Sequence, residues 1–115
     1  LIGQLVDSEK LGWDDPVQKH LKSFRLSDRN ANELVTIRDL LCHRTGVGSH
    51  DLIWYKASWK LPEMVERAGK LPLSKPFRQE LQYQTVLFSA AGLAAAEATG
   101  EKWPDLLKQK LLTPL

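Results

Sequence analysis

The chain has 115 residues, 43% of them hydrophobic, with 16 Lys and Arg against 14 Asp and Glu for a formal charge of +2. That length and apolar content suit one domain with a core of its own. The basic residues are scattered rather than gathered on one stripe, which leaves a nucleic-acid role without support, and a lone cysteine, Cys42, excludes an internal disulfide.

Leu1, Ile2, Leu5 and Val6 recur at helical spacing from the first residue. At the other end LLKQKLLTPL stops on an apolar Pro114-Leu115 with no polar tail. Both ends read as cut, so a segment of a longer chain is expected, and the lack of a leader carries no information about targeting. After the opening helix, Leu11-Gly12 supplies a stop. Asp14-Asp15-Pro16 predicts an N-cap carboxylate with proline at the first helical position and a short helix through Leu21. The stretch SFRLSDRNANEL, from Ser23, has no period and is expected to be a surface loop.

Val35-Thr36-Ile37-Arg38-Asp39-Leu40 carries the clearest local signal. Thr36 can accept from the Asp39 amide, Asp39 can reach back to Thr36, and Val35 can pack on Leu40 as a staple. A helix starts there and is expected to end near His43-Arg44, with Gly46 as the left-handed residue that closes it. Pro62 opens PEMVERAG and Gly69 closes it; Pro104 opens PDLLKQKLL and Pro114 stops it. Nothing alternates with period two for more than a few residues, so strands are expected to be absent or marginal.

From Leu81 to Ala96 the chain carries no charge. A helix apolar all round is buried on all sides. This run is shorter than the roughly 20 residues that a bilayer span needs, and it is rich in Ala and Gly rather than Leu and Ile, so it is not a membrane anchor. Covering it would take nearly all the other helices of so short a chain, and a larger parent domain is expected. Thr85 is placed to cap this helix through its hydroxyl. Tyr83, two residues earlier, lies near the positive end of the helix dipole, which favours negative charge on a phenol; packing for area alone is the plainer account of it.

The histidines His20, His43 and His50 show no zinc-ligand spacing with Asp, Glu or Cys, so no metal is expected. Cys42 and His43 would point about 100° apart on a helix, which argues against a nucleophile pair and leaves His43 as a hydrogen-bonded turn residue. Trp13, Trp54, Tyr55 and Trp59 are assigned to packing.

Three stretches carry a family resemblance: LVDSEKLGWDDPV, VTIRDLLCHRTGV, and KPFRQELQYQT together with GEKWPDLLKQKLLTPL. Their order and spacing over almost the whole chain resemble the serine beta-lactamase superfamily, most of all the class C beta-lactamase, esterase and D-aminopeptidase branch of penicillin-binding-protein-like hydrolases. The resemblance implies a mainly α chain, the helical lobe of a beta-lactamase/transpeptidase-like α+β fold with the sheet missing. Residues 1–115 would then be the helical part of a serine hydrolase domain, incomplete at both ends.

It also implies acyl-serine chemistry on an ester, a beta-lactam or a D-amino-acid peptide, with no cofactor. The partners implied are that small-molecule ester or amide and the remainder of the domain, with no nucleic acid and no membrane span. The family's nucleophile is the serine of a Ser-x-x-Lys motif. No serine here has a lysine three residues on, so the motif is expected upstream of Leu1. Tyr83 matches the tyrosine of the family's Tyr-x-Asn motif, which accepts the serine's proton and passes it to the leaving group. A free phenol ionises near ~10, so that role needs the family's neighbouring lysines, both outside this chain.

Thr85 stands where the family has asparagine, at a substrate-binding position. Threonine has a shorter reach and a hydroxyl in place of a carboxamide, so amide-bearing substrates lose support and simple esters gain it. Arg44-Thr45-Gly46 imitates the family's Lys-Thr-Gly motif but precedes Tyr83 and follows a helix, so it is rejected as such. A non-catalytic helical interaction module or pseudoenzyme on the same scaffold is the alternative. The family setting favours an extracytoplasmic location.

Overall fold

The computed structural model describes all 115 residues. Eight α-helices follow one another: α1 (Ile2–Asp7), α2 (Val17–His20), α3 (Arg29–Leu34), α4 (Ile37–Leu41), α5 (Asp51–Trp54), α6 (Leu61–Gly69), α7 (Thr85–Thr99) and α8 (Trp103–Leu107). The last runs on into a π-helical turn, Lys108–Leu112.

Helix α7 is the axis of the molecule, and α1, α2, α4, α6 and α8 all pack on it. Its buried residues are Val86, Leu87, Ala90, Ala91, Gly92, Ala94 and Ala95. Small side chains keep its diameter low, so short neighbours reach its backbone. At Gly92 a Cβ would sit 3.2 Å from the ring of Trp103, which is how the first turn of α8 lies down on it. Gly100, in the left-handed region at φ 71°, ends the helix without steric cost.

The expected lobe of an α+β fold, dependent on a sheet supplied from elsewhere, is corrected by this arrangement. Residues 1–115 close on their own contiguous core of 19 buried residues, from Leu5 through Ile37 and Leu40 to Ala95. The chain holds no sheet; its extended pairings are two isolated bridges, Pro16 with Thr36 and Val47 with Leu73. The physical reason lies in α7. A Leu-rich helix would need wide partners on every side, whereas an alanine-rich one is covered by five short ones. The cover opens at Phe88, which is 45% exposed.

Several local expectations change in the same way. Pro16 caps α2 rather than opening it, because its extended backbone pairs with Thr36. The Asp15 carboxylate turns back to accept from the Gly12 amide at 2.8 Å and from Lys19 and His20. The stretch from Ser23 is partly helical: Asp28 caps α3 by accepting from the Ala31 amide at 2.7 Å, and Phe24, Leu26 and Ala31 join the core. Gly69, by contrast, closes α6 as its last residue, as expected. Glycine is required there because the Arg25 carbonyl oxygen occupies the space a Cβ would take, while the Ser27 amide donates to the Gly69 carbonyl at 2.8 Å.

Candidate functional site

The site is built from the turn after α4. The Thr36–Asp39 capping box forms as the spacing predicts, with the Thr36 amide donating to Asp39 Oδ2 at 2.9 Å and the Asp39 amide donating to Thr36 Oγ1 at 3.3 Å. Helix α4 then caps at Cys42 and the left-handed residue is His43, at φ 54°, not Gly46. Gly46 also has a positive φ, of 86°, but it serves a different turn. Its carbonyl accepts from the Ser74 and Lys75 amides, and the Lys75 carbonyl packs where a side chain would stand.

Residues 73–84 run back along this turn and are fastened to it at intervals. The Arg78 amide donates to the Arg44 carbonyl at 2.9 Å and the Gln82 amide to the His43 carbonyl at 2.7 Å. The Gln84 amide donates to His43 Nδ1 at 3.1 Å. A buried carboxylate anchors both strips. Asp39, fully buried, accepts from Thr36, from Arg44 Nε at 2.9 Å, and from Arg78 Nε and Nη2 at 3.0 and 2.8 Å. Burial alone would raise its pKa; the donors of Arg78 and Thr36 outweigh that and hold the carboxyl below the usual carboxylate range.

Tyr83 emerges from this fastened segment 61% exposed. Its ring lies against that of His43, with centroids 4.5 Å apart, and His43 stacks in turn on Phe88 at 5.3 Å. Burial lowers the pKa of His43. Because Nδ1 accepts a backbone N–H, the ring proton of the neutral form belongs on Nε2. Thr85 opens α7 half-buried but does not cap it. Gln84 does: its Oε1 accepts from the Val86 amide at 2.9 Å while Nε2 donates to the Gly48 carbonyl at 2.7 Å. Only 2% of Gln84 is exposed, and a glutamine reaches both groups at once where a threonine hydroxyl reaches one.

Tyr83 and Thr85 thus flank the cap of the longest helix, on an open face that also carries Leu81 and Phe88. Sequence reasoning did not find His43 as the partner of Tyr83, nor the buried Gln84 and Asp39 as the groups that hold this segment in place. The capping box pointed to Asp39, but of its two arginine partners Arg78 lies 39 residues away, beyond any local pattern. Thr45 is buried in a tight turn, accepting from the Val47 amide, which removes Thr45-Gly46 from the open surface. Trp54 and Trp59 line a small cavity beside α6, and Trp13 packs under Arg38. A groove of about 800 Å³ lined in part by Phe24, Leu26, Val65 and Leu93 touches neither Tyr83 nor Thr85. No cluster of three His, Cys, Asp or Glu stands close enough to hold a metal ion, and no helix is long and apolar enough to cross a membrane.

Comparison with known proteins agrees with the motif order. Penicillin-binding protein 4 of Amycolatopsis lactamdurans is 29% identical over 116 residues, which cover all of this chain and 30% of that protein. Unguisins hydrolase ungD' of Aspergillus campestris is 29% identical over 126 residues, covering all of this chain and 23% of that one. The chain therefore spans under a third of the length of these relatives. The D-stereospecific amidohydrolase from Streptomyces sp. superposes with a TM-score of 0.81 over 98% of this chain and 37% of its own, at 20% identity, a likeness of fold. The Beta-lactamase family profile matches residues 1–115. This chain belongs to the Beta-lactamase family of hydrolases.

Proposed function

We propose that the protein is a serine hydrolase acting by acyl-serine chemistry, in which Tyr83 is the general base and Thr85 borders the substrate. A serine and a lysine from outside residues 1–115 would complete the site, and those residues are the helical portion of that hydrolase domain. The observation that carries this reading is the exposed phenol of Tyr83, seated one residue before the cap of α7 on a segment fastened at both sides.

In the reaction, Tyr83 takes the serine hydroxyl proton as the serine oxygen attacks the substrate carbonyl. It then delivers that proton to the departing alkoxide or amine as the carbonyl–leaving-group bond breaks. Water, deprotonated by the same phenolate, cleaves the acyl-serine and restores both groups. Thr85 offers a hydroxyl rather than a carboxamide to the substrate, which favours esters over amides.

Threonine at the position of the family's asparagine favours a second reading as a non-catalytic helical interaction module or pseudoenzyme on the same scaffold. Both readings meet one experiment on the whole protein with a nitrophenyl ester. Turnover is expected, and Tyr83→Phe is expected to lower kcat by about 10²–10⁴-fold with the thermal midpoint unchanged. Turnover retained in Tyr83→Phe removes the phenol from the mechanism. No turnover in the unaltered protein selects the non-catalytic module.

A further inference from the structure

We propose that His43 is a positioning residue for Tyr83, clamping it from both sides and carrying its own ring proton on Nε2. The inference rests on the reading of Tyr83 as the acid–base group. Its geometric ground is that both backbone amides flanking Tyr83 end on one residue. The Gln82 amide donates to the His43 carbonyl at 2.7 Å, and the Gln84 amide donates to His43 Nδ1 at 3.1 Å. The centroid of the imidazole then lies 4.5 Å from that of the Tyr83 ring and 5.3 Å from that of Phe88. Position, direction and ring tilt of the phenol are thus set by one side chain and its own carbonyl.

The conformation of His43 suits this use. A residue at φ 54° occupies a region that few side chains other than Asn, Asp and His enter, and such a turn persists only where its surroundings hold it. Here Arg44, the next residue, is held by the buried Asp39 and by the Arg78 amide. The turn is therefore rigid, and it turns the imidazole out over Tyr83. Alanine would lose the acceptor and the ring. Asparagine would keep an acceptor and tolerate the left-handed backbone, but would lose the stack.

The test uses the full-length protein with His43→Ala and His43→Asn, followed by ester turnover and by the NMR signals of ring-labelled tyrosine, with Tyr83 identified by its loss in Tyr83→Phe. For His43→Ala, kcat is expected to fall about 10–100-fold with KM nearly constant, and the Tyr83 ring signal to shift and broaden. His43→Asn is expected to recover a large part of kcat. A folded His43→Ala protein with kcat unchanged overturns the inference, as does a loss of kcat with the Tyr83 signal unmoved. If His43→Ala does not fold, His43→Asn decides: an intermediate kcat with a shifted ring signal supports positioning, and an unmoved signal refutes it. The ring signal reports positioning even if Tyr83→Phe retains turnover, so failure of the clamp and failure of the base are told apart.

Discussion

Asp39 shows at the scale of one residue how local and distant demands meet. Its backbone amide and carboxylate complete the capping box within three residues, and the same carboxylate then receives two arginines. A fully buried charge is tolerated only when its oxygens are satisfied, and removing one side of such a pair strands the other. Asp39→Asn is expected to cost about 3 kcal/mol, measured as a lower urea midpoint with unchanged slope. A loss near zero would mean the arginines find water as readily as they find this carboxylate. The distinction is one of information: the Thr36 partnership was legible in the spacing, while Arg78 sits in a region without periodic pattern. His43 is similar. The sequence places it in a turn, but the tyrosine it touches arrives from 40 positions later, which no local rule anticipates.

Elements obeyed their local signals where the backbone groups were satisfied within a turn, and departed where another segment competed. The capping box started α4 on schedule. Pro16 was diverted from its predicted place because bridging to Thr36 uses its extended backbone. Asp28 is a sound N-cap that went unread, since the surrounding Ser, Arg and Asn residues obscure the short apolar period of Ala31 and Val35. At Gly69 the residue type was informative but its reason was not. An alanine there would gain about 1 kcal/mol of helix propensity in isolation, yet Arg25 blocks its Cβ. Gly69→Ala is therefore expected to destabilise by about 1–3 kcal/mol through forced backbone movement, seen as a lower thermal midpoint by circular dichroism. A higher midpoint would show that the loop carrying Arg25 yields freely.

For the whole molecule the ionisable groups give a direction to pH dependence. Lys19 and then His20 hydrogen-bond to Asp15 and lower its pKa from 3.8 to about 2, and Asp39 is lowered as well. The unfolded counterpart of each binds protons first on acidification, so the stability each confers is present above pH 3.8 and is lost as pH falls through its lowered folded pKa, about 2 for Asp15. His43 is lowered from 6.5 by burial, so the unfolded state also gains its proton first, and that share is lost below pH 6.5. Thermal midpoints are expected to hold near neutrality, decline gently below 6.5 and steeply below 3.8. His43→Asn should flatten the gentle decline and leave the steep one. Stability that rises between pH 6.5 and 5 would contradict the burial of the imidazole.

The amino-acid sequence by itself determined the start of α4 at its capping box, the uncharged central run, and the motif order by which the family is recognised. These depend on contacts between near neighbours, which spacing records directly. The tertiary structure decided that five short helices close around α7, that Gln84 rather than Thr85 caps it, and that Asp39 and His43 meet Arg78 and Tyr83. Those outcomes depend on how loops return to the core, where many residues of equal local preference compete and packing selects among them.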